Sequence, residues 1–346
     1  MSAKTLTSWV ACAVLSALSG CSVGYLAQSV GGHWDLVSRA RPVDDWMADP
    51  ATPQRLRDRL ALAQSLRRFA IEELRLPDHA SFQRFAQIHR PAVIWNVVAA
   101  PELSLEPKTW CFPVVGCVAY RGYFDREQAA AYAQTLKNEG LEVYIAAVPA
   151  YSTLGKTDWL GGDPLLDTFL YWDEAALARL IFHEMAHPLV FVPGDTAFNE
   201  SFASAVEQLG LTRWWRSTRG SAAPPKDARL AQQQQALKDL RQTLREIYSR
   251  AVSYGQRREA KAAALAKFRS LHPEIATELL NNASLALRSS YDDGVSAFEQ
   301  LFQDEGQDFE KFYAAAQRWA QLTEDQRRLK LQPRVGATPL SGDPRL

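Results

Sequence analysis

The sequence LIFHEMAH, residues 180–187, decides how the rest of this 346-residue chain is organised. His183 and His187 lie four positions apart, so on a helix they project from one face about one turn apart. Both imidazoles can then reach a single Zn²⁺ ion at about 2.0 to 2.1 Å. Glu184 lies beside them, where it can take a proton from metal-bound water. The pattern predicts a helix that carries a catalytic metal, and its alternative is an accidental pair of helix histidines.

A catalytic zinc ion needs a third protein ligand and an open position for water. The sequence offers this ligand shortly after the histidines, because a turn at Pro193 and Gly194 leads into a second helix with Glu200 in its first turn. Helices joined by so short a turn pack antiparallel, so Glu200 can point back at the histidines. The predicted ligands of one zinc ion per chain are therefore His183, His187 and Glu200.

Four further residues near this helix pair have candidate roles. Glu207, two turns along the second helix, can accept the free N–H of a ligating histidine, bind the ammonium group of a substrate, or remain an ordinary solvated carboxylate. Asn199 shares the first two roles. Asp195 is predicted to cap the second helix rather than to bind metal. Pro188 cannot continue a helix, so the first helix is predicted to end or kink there; the alternative is a break that spoils the ligand geometry.

The fold class predicted from the whole sequence is α+β and predominantly α-helical. The chain can bury a full core because 47% of its residues are hydrophobic. Short runs rich in Val, Ile and Tyr predict strands over 93–99, 114–123 and 141–148, with a helix over 126–138 between the last two. These segments predict a small mixed β-sheet.

Most of the chain outside this sheet has helical periodicity. It predicts helices over 54–76, 174–187 and 198–215 and a long helical hairpin over 226–270. A coiled-coil arm that binds a partner is the alternative for the hairpin. The segment 41–53 is predicted to be a polar connector.

Equal numbers of acidic and basic residues, 39 Asp plus Glu and 39 Lys plus Arg, leave the chain without net charge. No summed electric field therefore attracts nucleic acid or holds the body of the protein on anionic lipid. A small neutral or peptidic partner is expected.

The N-terminus resembles a bacterial lipoprotein signal. One charge, Lys4, precedes an apolar stretch over 9–18 that is too short to span a bilayer but suits a secretory signal. Residues 18–21, LSGC, resemble the lipoprotein box, which implies acylation of Cys21 and a permanent lipid anchor. Ser22 follows this cysteine at the position where Asp often signals retention in the inner membrane, so the resemblance implies the outer membrane. The predicted location is the bacterial outer membrane, facing the periplasm; the alternative is a cleaved soluble protein in which Cys21 has no role.

Two cysteines remain for the folded protein once Cys12 leaves with the signal and Cys21 takes lipid. The periplasm is oxidising, and a Pro and a Gly between Cys111 and Cys117 favour a turn. A disulfide that closes so short a loop contributes about 2 kcal/mol in the chain-entropy model. A structural disulfide is therefore predicted, with a metal-binding role for the two thiols as the alternative.

The metal motif resembles that of the gluzincin metallopeptidases, whose thermolysin-like members take two histidines from one helix and a glutamate from the next. The matching residues are His183, Glu184, His187, Asn199, Glu200 and Ala203. Nearly the whole mature chain is also similar to a bacterial lipoprotein family described as predicted aminopeptidases. This similarity is carried by WNVVAAP at 95–101, the segment 111–117, YRGYF at 120–124, YSTLG at 151–155 and NNA at 281–283 leading to Tyr291.

The resemblance implies zinc-dependent hydrolysis of peptide bonds, with aminopeptidase activity. Glu184 would be the general base, and Tyr291 is the first candidate for a donor to the oxyanion, with Tyr151 second. The alternatives are a non-catalytic envelope lipoprotein with a structural zinc and a hydrolase of peptidoglycan peptides. Endopeptidase activity and another divalent ion also stay open.

These signals together divide the chain into four parts. We expect a signal peptide over 1–20, a lipid-anchored linker over 21–42, a zincin-like metallopeptidase domain over 43–329 and a disordered tail over 330–346.

Overall fold

The computed structural model describes residues 23–112, 116–150, 162–220, 228–275, 280–292 and 294–332. The predicted signal peptide, Cys21, Tyr151 and residues 333–346 of the predicted tail lie outside this part of the chain. Within it, no helix is both long enough and apolar enough to cross a membrane.

The fold is α+β and predominantly α-helical, which confirms the predicted class. The helices are α1 (Val23–Arg39), α2 (Val43–Ala48), α3 (Gln54–Glu72), α4 (Arg126–Asn138), α5 (Glu174–Ala186), α6 (Thr196–Arg219), α7 (Ala228–Ser249), α8 (Tyr254–Leu271), α9 (Asn282–Asp292), α10 (Val295–Asp304), α11 (Phe309–Ala320) and α12 (Glu324–Leu331). The strands are β1 (Arg41–Pro42), β2 (Arg84–Ala86), β3 (Ile94–Pro101), β4 (Trp110–Phe112), β5 (Gly116–Val118), β6 (Arg121–Tyr123), β7 (Leu141–Val148) and β8 (Leu165–Leu166).

A three-stranded antiparallel sheet in the order β6-β3-β7 forms from the segments predicted as strands. β3 pairs with β7 along its whole length, from Ile94 opposite Val148 to Pro101 opposite Leu141. Side chains of α4, such as Ala133, cover one face of this sheet, and α9 packs on the strands as well. A mixed sheet forms elsewhere, where β2 pairs antiparallel with β1 and parallel with β8.

The predicted single strand over 114–123 is wrong, because its residues form two strands with different partners. A disulfide joins Cys111 and Cys117, which confirms the predicted bond. It closes a hairpin in which β5 pairs with β4. β6 resumes after the hairpin and pairs with β3.

The helix pair α5 and α6 lies in the main hydrophobic core. α5 buries Ile181 and Phe182, and α6 buries Phe198 and Phe202. The ring of Phe202 meets that of Phe298 from α10 at a centroid distance of 5.5 Å. Each such side chain contributes roughly 1.5 to 3 kcal/mol by leaving water. The core therefore fixes the two helices and leaves their polar side chains to face each other at its edge.

The N-terminal part differs from the predicted linker and connector. α1 covers most of the segment 21–42, and the short α2 lies inside the segment 41–53. Leu36 and Val37 anchor the end of α1 by being buried. The linker prediction rests on the place of this segment directly after the lipid-anchored Cys21, and the segment forms a helix although the adjacent glycines in its middle are poor helix formers.

α7 and α8 pack against each other in a second, smaller hydrophobic core, to which Leu285 of α9 also contributes. Leu240 and Leu244 of α7 meet Leu265 and Phe268 of α8 in this core. The second helix begins with a capping box, in which Ser253 and the residue three positions later satisfy each other's backbone N–H groups.

Candidate metal centre

α5 brings the two histidines to the edge of the core. The side chain of Asp173 accepts a 2.9 Å hydrogen bond from a first-turn backbone N–H and so caps the helix. The helix ends at Ala186, directly before the two residues His187 and Pro188. His187 nevertheless keeps helical dihedral angles, with φ −55° and ψ −42°. It therefore still lies one turn beyond His183.

The turn between α5 and α6 is clamped by two side chains. Asp195 caps α6 by accepting a 3.1 Å hydrogen bond from the backbone N–H of Phe198, which confirms the predicted cap. Its other oxygen accepts a 2.7 Å hydrogen bond from Nε of Arg327. Asn199 exchanges two hydrogen bonds of 2.8 Å with the backbone of Val192. The amide of Asn199 therefore holds the turn, which differs from its predicted place beside a ligating histidine or a substrate amine.

His183, His187 and Glu200 converge between the two helices. Oε2 of Glu200 lies 3.2 Å from Nε2 of His183, and Oε1 lies 3.8 Å from Nε2 of His187. One ligand atom from each of the three residues lies within 4.8 Å of the others. Ligands held about 2.0 to 2.1 Å from a tetrahedral ion are roughly 3.3 Å apart. The donor set and its spacing therefore fit a divalent metal ion.

Glu207 fixes the other side of the His183 ring. Its Oε2 lies 3.2 Å from Nδ1 of His183, and its Oε1 accepts a 3.0 Å hydrogen bond from Arg179. A neutral imidazole donates from only one nitrogen, so donation from Nδ1 to Glu207 leaves a lone pair on Nε2. That lone pair faces the carboxylate of Glu200. Two acceptors at this distance repel each other unless a cation, either a proton or a metal ion, lies between them.

Burial and the carboxylates act in opposite directions on the two histidines. Burial by itself would lower the pKa of His183, but hydrogen bonds with Glu200 and Glu207 outweigh it and raise the pKa well above its usual value. At His187 burial dominates and lowers the pKa to about 4. Burial would raise the pKa of both carboxyl groups, but contact with the histidines lowers it instead. The centre therefore keeps its carboxylates ionised, which favours a cation.

Glu184 follows His183 directly on α5 and is partly buried. Its charge is one of the causes that raise the pKa of His183, so its carboxylate acts on the ligand cluster. Tyr291 belongs to the last turn of α9, but its side chain, like all of Tyr151, lies outside the described residues. The predicted residues that the structure brings together are His183, Glu184, His187, Glu200 and Glu207.

Two arginines at this site were missed from the sequence. Arg179 lies one helical turn before His183, so the same spacing that indicated the histidines could have indicated it. Arg327 comes from α12 and meets Asp195 across 132 residues of sequence. No local pattern points to such a contact.

The hairpin closed by the disulfide packs against the turn that precedes α6. Gly116 has a φ of +75°, and a Cβ atom added there would lie 2.7 Å from the backbone nitrogen of Gly194. Gly194 itself has a φ of +83°, a conformation that glycine adopts without strain. The two glycines thus allow the hairpin to lie directly on the turn that leads to Glu200.

The fold is that of an α+β protein, and its helix pair α5 and α6 carries a candidate metal centre formed by His183, His187 and Glu200. Residues 24–331 match the family model described as "Putative aminopeptidase", and the chain belongs to this family. Comparisons with curated proteins and with solved structures found no match.

Proposed function

We propose that this protein is a zinc-dependent aminopeptidase. The observation that carries the proposal is the convergence of His183, His187 and Glu200, whose ligand atoms all lie within 4.8 Å of one another. Two imidazoles and one carboxylate are a donor set typical of catalytic zinc sites. Membership of the family supports hydrolysis of peptides from a free N-terminus.

The chain's own residues have separate roles in this proposal. When bound, zinc is a Lewis acid that polarises a carbonyl oxygen and lowers the pKa of a coordinated water towards 7. Glu184 accepts a proton at its carboxylate from the water that attacks the peptide carbonyl. It then donates this proton to the leaving amine. Glu207 holds the ring of His183, so that Nε2 stays directed towards Glu200. Tyr291 is the proposed donor to the oxyanion.

The geometry favours one of the roles open to Glu207. Both of its oxygens are engaged, one with Nδ1 of His183 and one with Arg179. Binding the ammonium group of a substrate would require Glu207 to give up one of these contacts. We therefore assign it to orienting His183, and the carboxylate that meets a substrate amine must lie elsewhere.

The site of action in this proposal is the periplasmic side of a bacterial outer membrane. The sequence LSGC at 18–21 supports acylation of Cys21. The disulfide between Cys111 and Cys117 suits an oxidising compartment.

The test combines metal content with activity in four proteins. Zinc per chain is measured by elemental analysis in the wild type, Glu184→Gln, Glu200→Ala and the control Glu174→Gln, which changes an exposed carboxylate on the same helix. Hydrolysis of peptides with free and with blocked N-termini is measured in parallel. We expect one zinc per chain in all but Glu200→Ala. Activity on free-amine peptides should be lost in Glu200→Ala and fall by about 10² to 10⁴ in Glu184→Gln.

Two outcomes would overturn the proposal in different ways. A wild type that binds zinc but hydrolyses no peptide, whatever its N-terminus, would identify a structural metal site in a non-catalytic envelope protein. Equal cleavage of free and blocked peptides would keep the peptidase and exclude the aminopeptidase.

A further inference from the structure

α1 presents an apolar stripe to solvent. Val30 and Trp34 are 70% and 65% exposed, values unusual for large hydrophobic side chains. Ala27 and Gly31 are exposed on the same side of the helix, since positions three, four and seven apart share a face. The sequence has no Asp, Glu, Lys or Arg from residue 5 to Trp34. The stripe is therefore apolar and uncharged.

The opposite side of α1 is fixed on the protein. Gln28 accepts a 3.1 Å hydrogen bond from the backbone N–H of Phe124 and donates one of 3.2 Å to the carbonyl of Gly122. The ring of Tyr25 stacks on that of Phe112 at a centroid distance of 5.7 Å. A Cβ atom added to Gly32 would lie 2.1 Å from the ring of Phe124, so the helix approaches its neighbour closely. The exposed stripe cannot turn inward without breaking these contacts.

The position of the stripe along the sequence indicates what covers it. α1 begins at Val23, only two residues after Cys21, and two residues reach at most about 7 Å. An acylated Cys21 therefore brings the start of α1 to the lipid headgroups. A helix rises about 1.5 Å per residue, so Trp34 would stand roughly 17 Å from the membrane if α1 were perpendicular to it. Only a helix that lies along the membrane lets the stripe and the anchor meet the same surface.

We propose that α1 lies flat on the bilayer and inserts Val30 and Trp34 between the lipid headgroups. This inference rests on the proposed acylation of Cys21 and adds a second membrane contact beside it. Tryptophan is favoured at such interfaces because its ring is apolar and its N–H can still meet water or headgroups. An apolar helix face beside an acyl anchor is a recurring way to attach a protein to a membrane surface. The same contact fixes the orientation of the central sheet, on which α1 packs.

Quenching by brominated lipid tests the position of Trp34. The mature protein, with its N-terminal mass measured to establish acylation, is placed in vesicles of phosphatidylethanolamine and phosphatidylglycerol with bromine in the acyl chains. Its tryptophan fluorescence is compared with that in vesicles without bromine. We expect a quenched component in the wild type that Trp34→Phe removes. The control Trp172→Phe changes another exposed tryptophan, 38% accessible, and should keep that component.

The outcomes separate this inference from the anchoring on which it rests. A chain without an acyl group that does not sediment with vesicles would overturn both. An acylated chain whose quenching is the same in Trp34→Phe and the wild type would overturn the placement of α1 alone. Absence of quenching, together with a dimer in detergent that Val30→Asp dissociates, would assign the stripe to a second copy of the chain. Unchanged thermal unfolding of the variants establishes that they are folded.

Discussion

Two clusters of charged side chains hold helices together in this protein, and they are completed in different ways. The first is the candidate metal centre between α5 and α6. The second, which we call the docking cluster, joins α8 and α9 to the ends of β3 and β7. It is defined by Glu102, Glu142, Tyr254, Arg258, Lys261 and Asn282. Both clusters contain carboxylates next to nearly buried polar groups.

The docking cluster supplies a protein donor for every carboxylate oxygen. Glu102 accepts hydrogen bonds of 2.7 Å from Arg258 and 2.5 Å from the hydroxyl of Tyr254. Glu142 accepts one from the ammonium group of Lys261 and one of 2.6 Å from the first backbone N–H of α9. Lys261 also donates to the carbonyl of Glu102 at 2.7 Å. Its charges are thus neutralised by the chain itself.

The carboxylates of the candidate metal centre have different partners. Arg179 compensates Glu207, whereas the ion-pair partners of Glu200 among the described residues are the two imidazoles. In its neutral form the ring of His183 cannot donate both to Glu200 and to Glu207. The candidate metal centre thus directs two imidazoles and a carboxylate at one point, whereas the docking cluster places a protein cation beside each of its carboxylates.

Removing zinc should separate the two clusters most strongly. A metal that binds only the folded state stabilises it by about 4 kcal/mol at roughly a thousand times its dissociation constant. We expect a strong chelator to lower the free energy of unfolding of the wild type by that amount and to leave that of Glu200→Ala unchanged. Lys261→Met should keep the full response to the chelator. A wild type whose midpoint is the same with and without chelator would remove the distinction between the clusters.

Breaking the docking cluster should cost stability without affecting metal binding. Lys261 is only 5% exposed and meets Glu142, so Lys261→Met leaves a carboxylate without its cation. Breaking a buried ion pair costs 3 to 5 kcal/mol, and we expect about 3 kcal/mol because Glu142 is a quarter exposed. Urea denaturation measures this loss, and Lys267→Met, an exposed lysine on the same helix, is the control. Loss of zinc in Lys261→Met would mean that the clusters are coupled.

The contact between the disulfide hairpin and the turn before α6 should have a smaller effect on stability. Gly116→Ala introduces strain at positive φ and a clash with Gly194, and we expect a cost of about 2 to 3 kcal/mol. Gly140 also has a positive φ, of +83°, but nothing lies within 4 Å of the added atom. Gly140→Ala therefore measures the strain alone, about 1 kcal/mol. Of these two variants, only Gly116→Ala should lower zinc affinity, because the hairpin that contains Gly116 touches the turn leading to Glu200.

The sequence predicted those parts of the metal centre that depend on local periodicity. The four-residue spacing of His183 and His187 and the short turn before Glu200 are sufficient to place three side chains on facing helices. The N-cap at Asp195 follows from equally local chemistry. These features were accessible because a helix fixes the relative positions of residues a few places apart.

The parts that sequence reasoning missed depend on contacts between distant segments. Lys261 meets Glu142 across 119 residues, and Arg327 meets Asp195 across 132. The helix α1 was missed for another reason, since packing against Phe124 stabilises it despite its glycines. Propensity is a weak guide wherever tertiary contacts decide.

The smallest expected effect concerns Arg179, which pairs with Glu207 beside the candidate metal centre. Arg179 fixes Glu207, which fixes the ring of His183, so Arg179→Gln should let that ring turn more freely without removing a ligand. Loss of a direct partner of a ligating histidine costs 10- to 100-fold in metal affinity. Arg179 is one step further away and partly exposed, so we expect a loss of about tenfold or less.

A matched control exists because the same two helices carry a second ion pair. Arg219 of α6 meets Glu174 of α5 at 2.7 Å, with both side chains about half exposed. Exposed pairs of this kind contribute little, so Arg219→Gln should leave zinc affinity unchanged and cost at most about 1 kcal/mol in stability. Competition with a fluorescent zinc chelator measures both variants. Equal affinities in Arg179→Gln and the wild type would show that Glu207 holds His183 unaided, and Arg179 would then be a structural cation like those of the docking cluster.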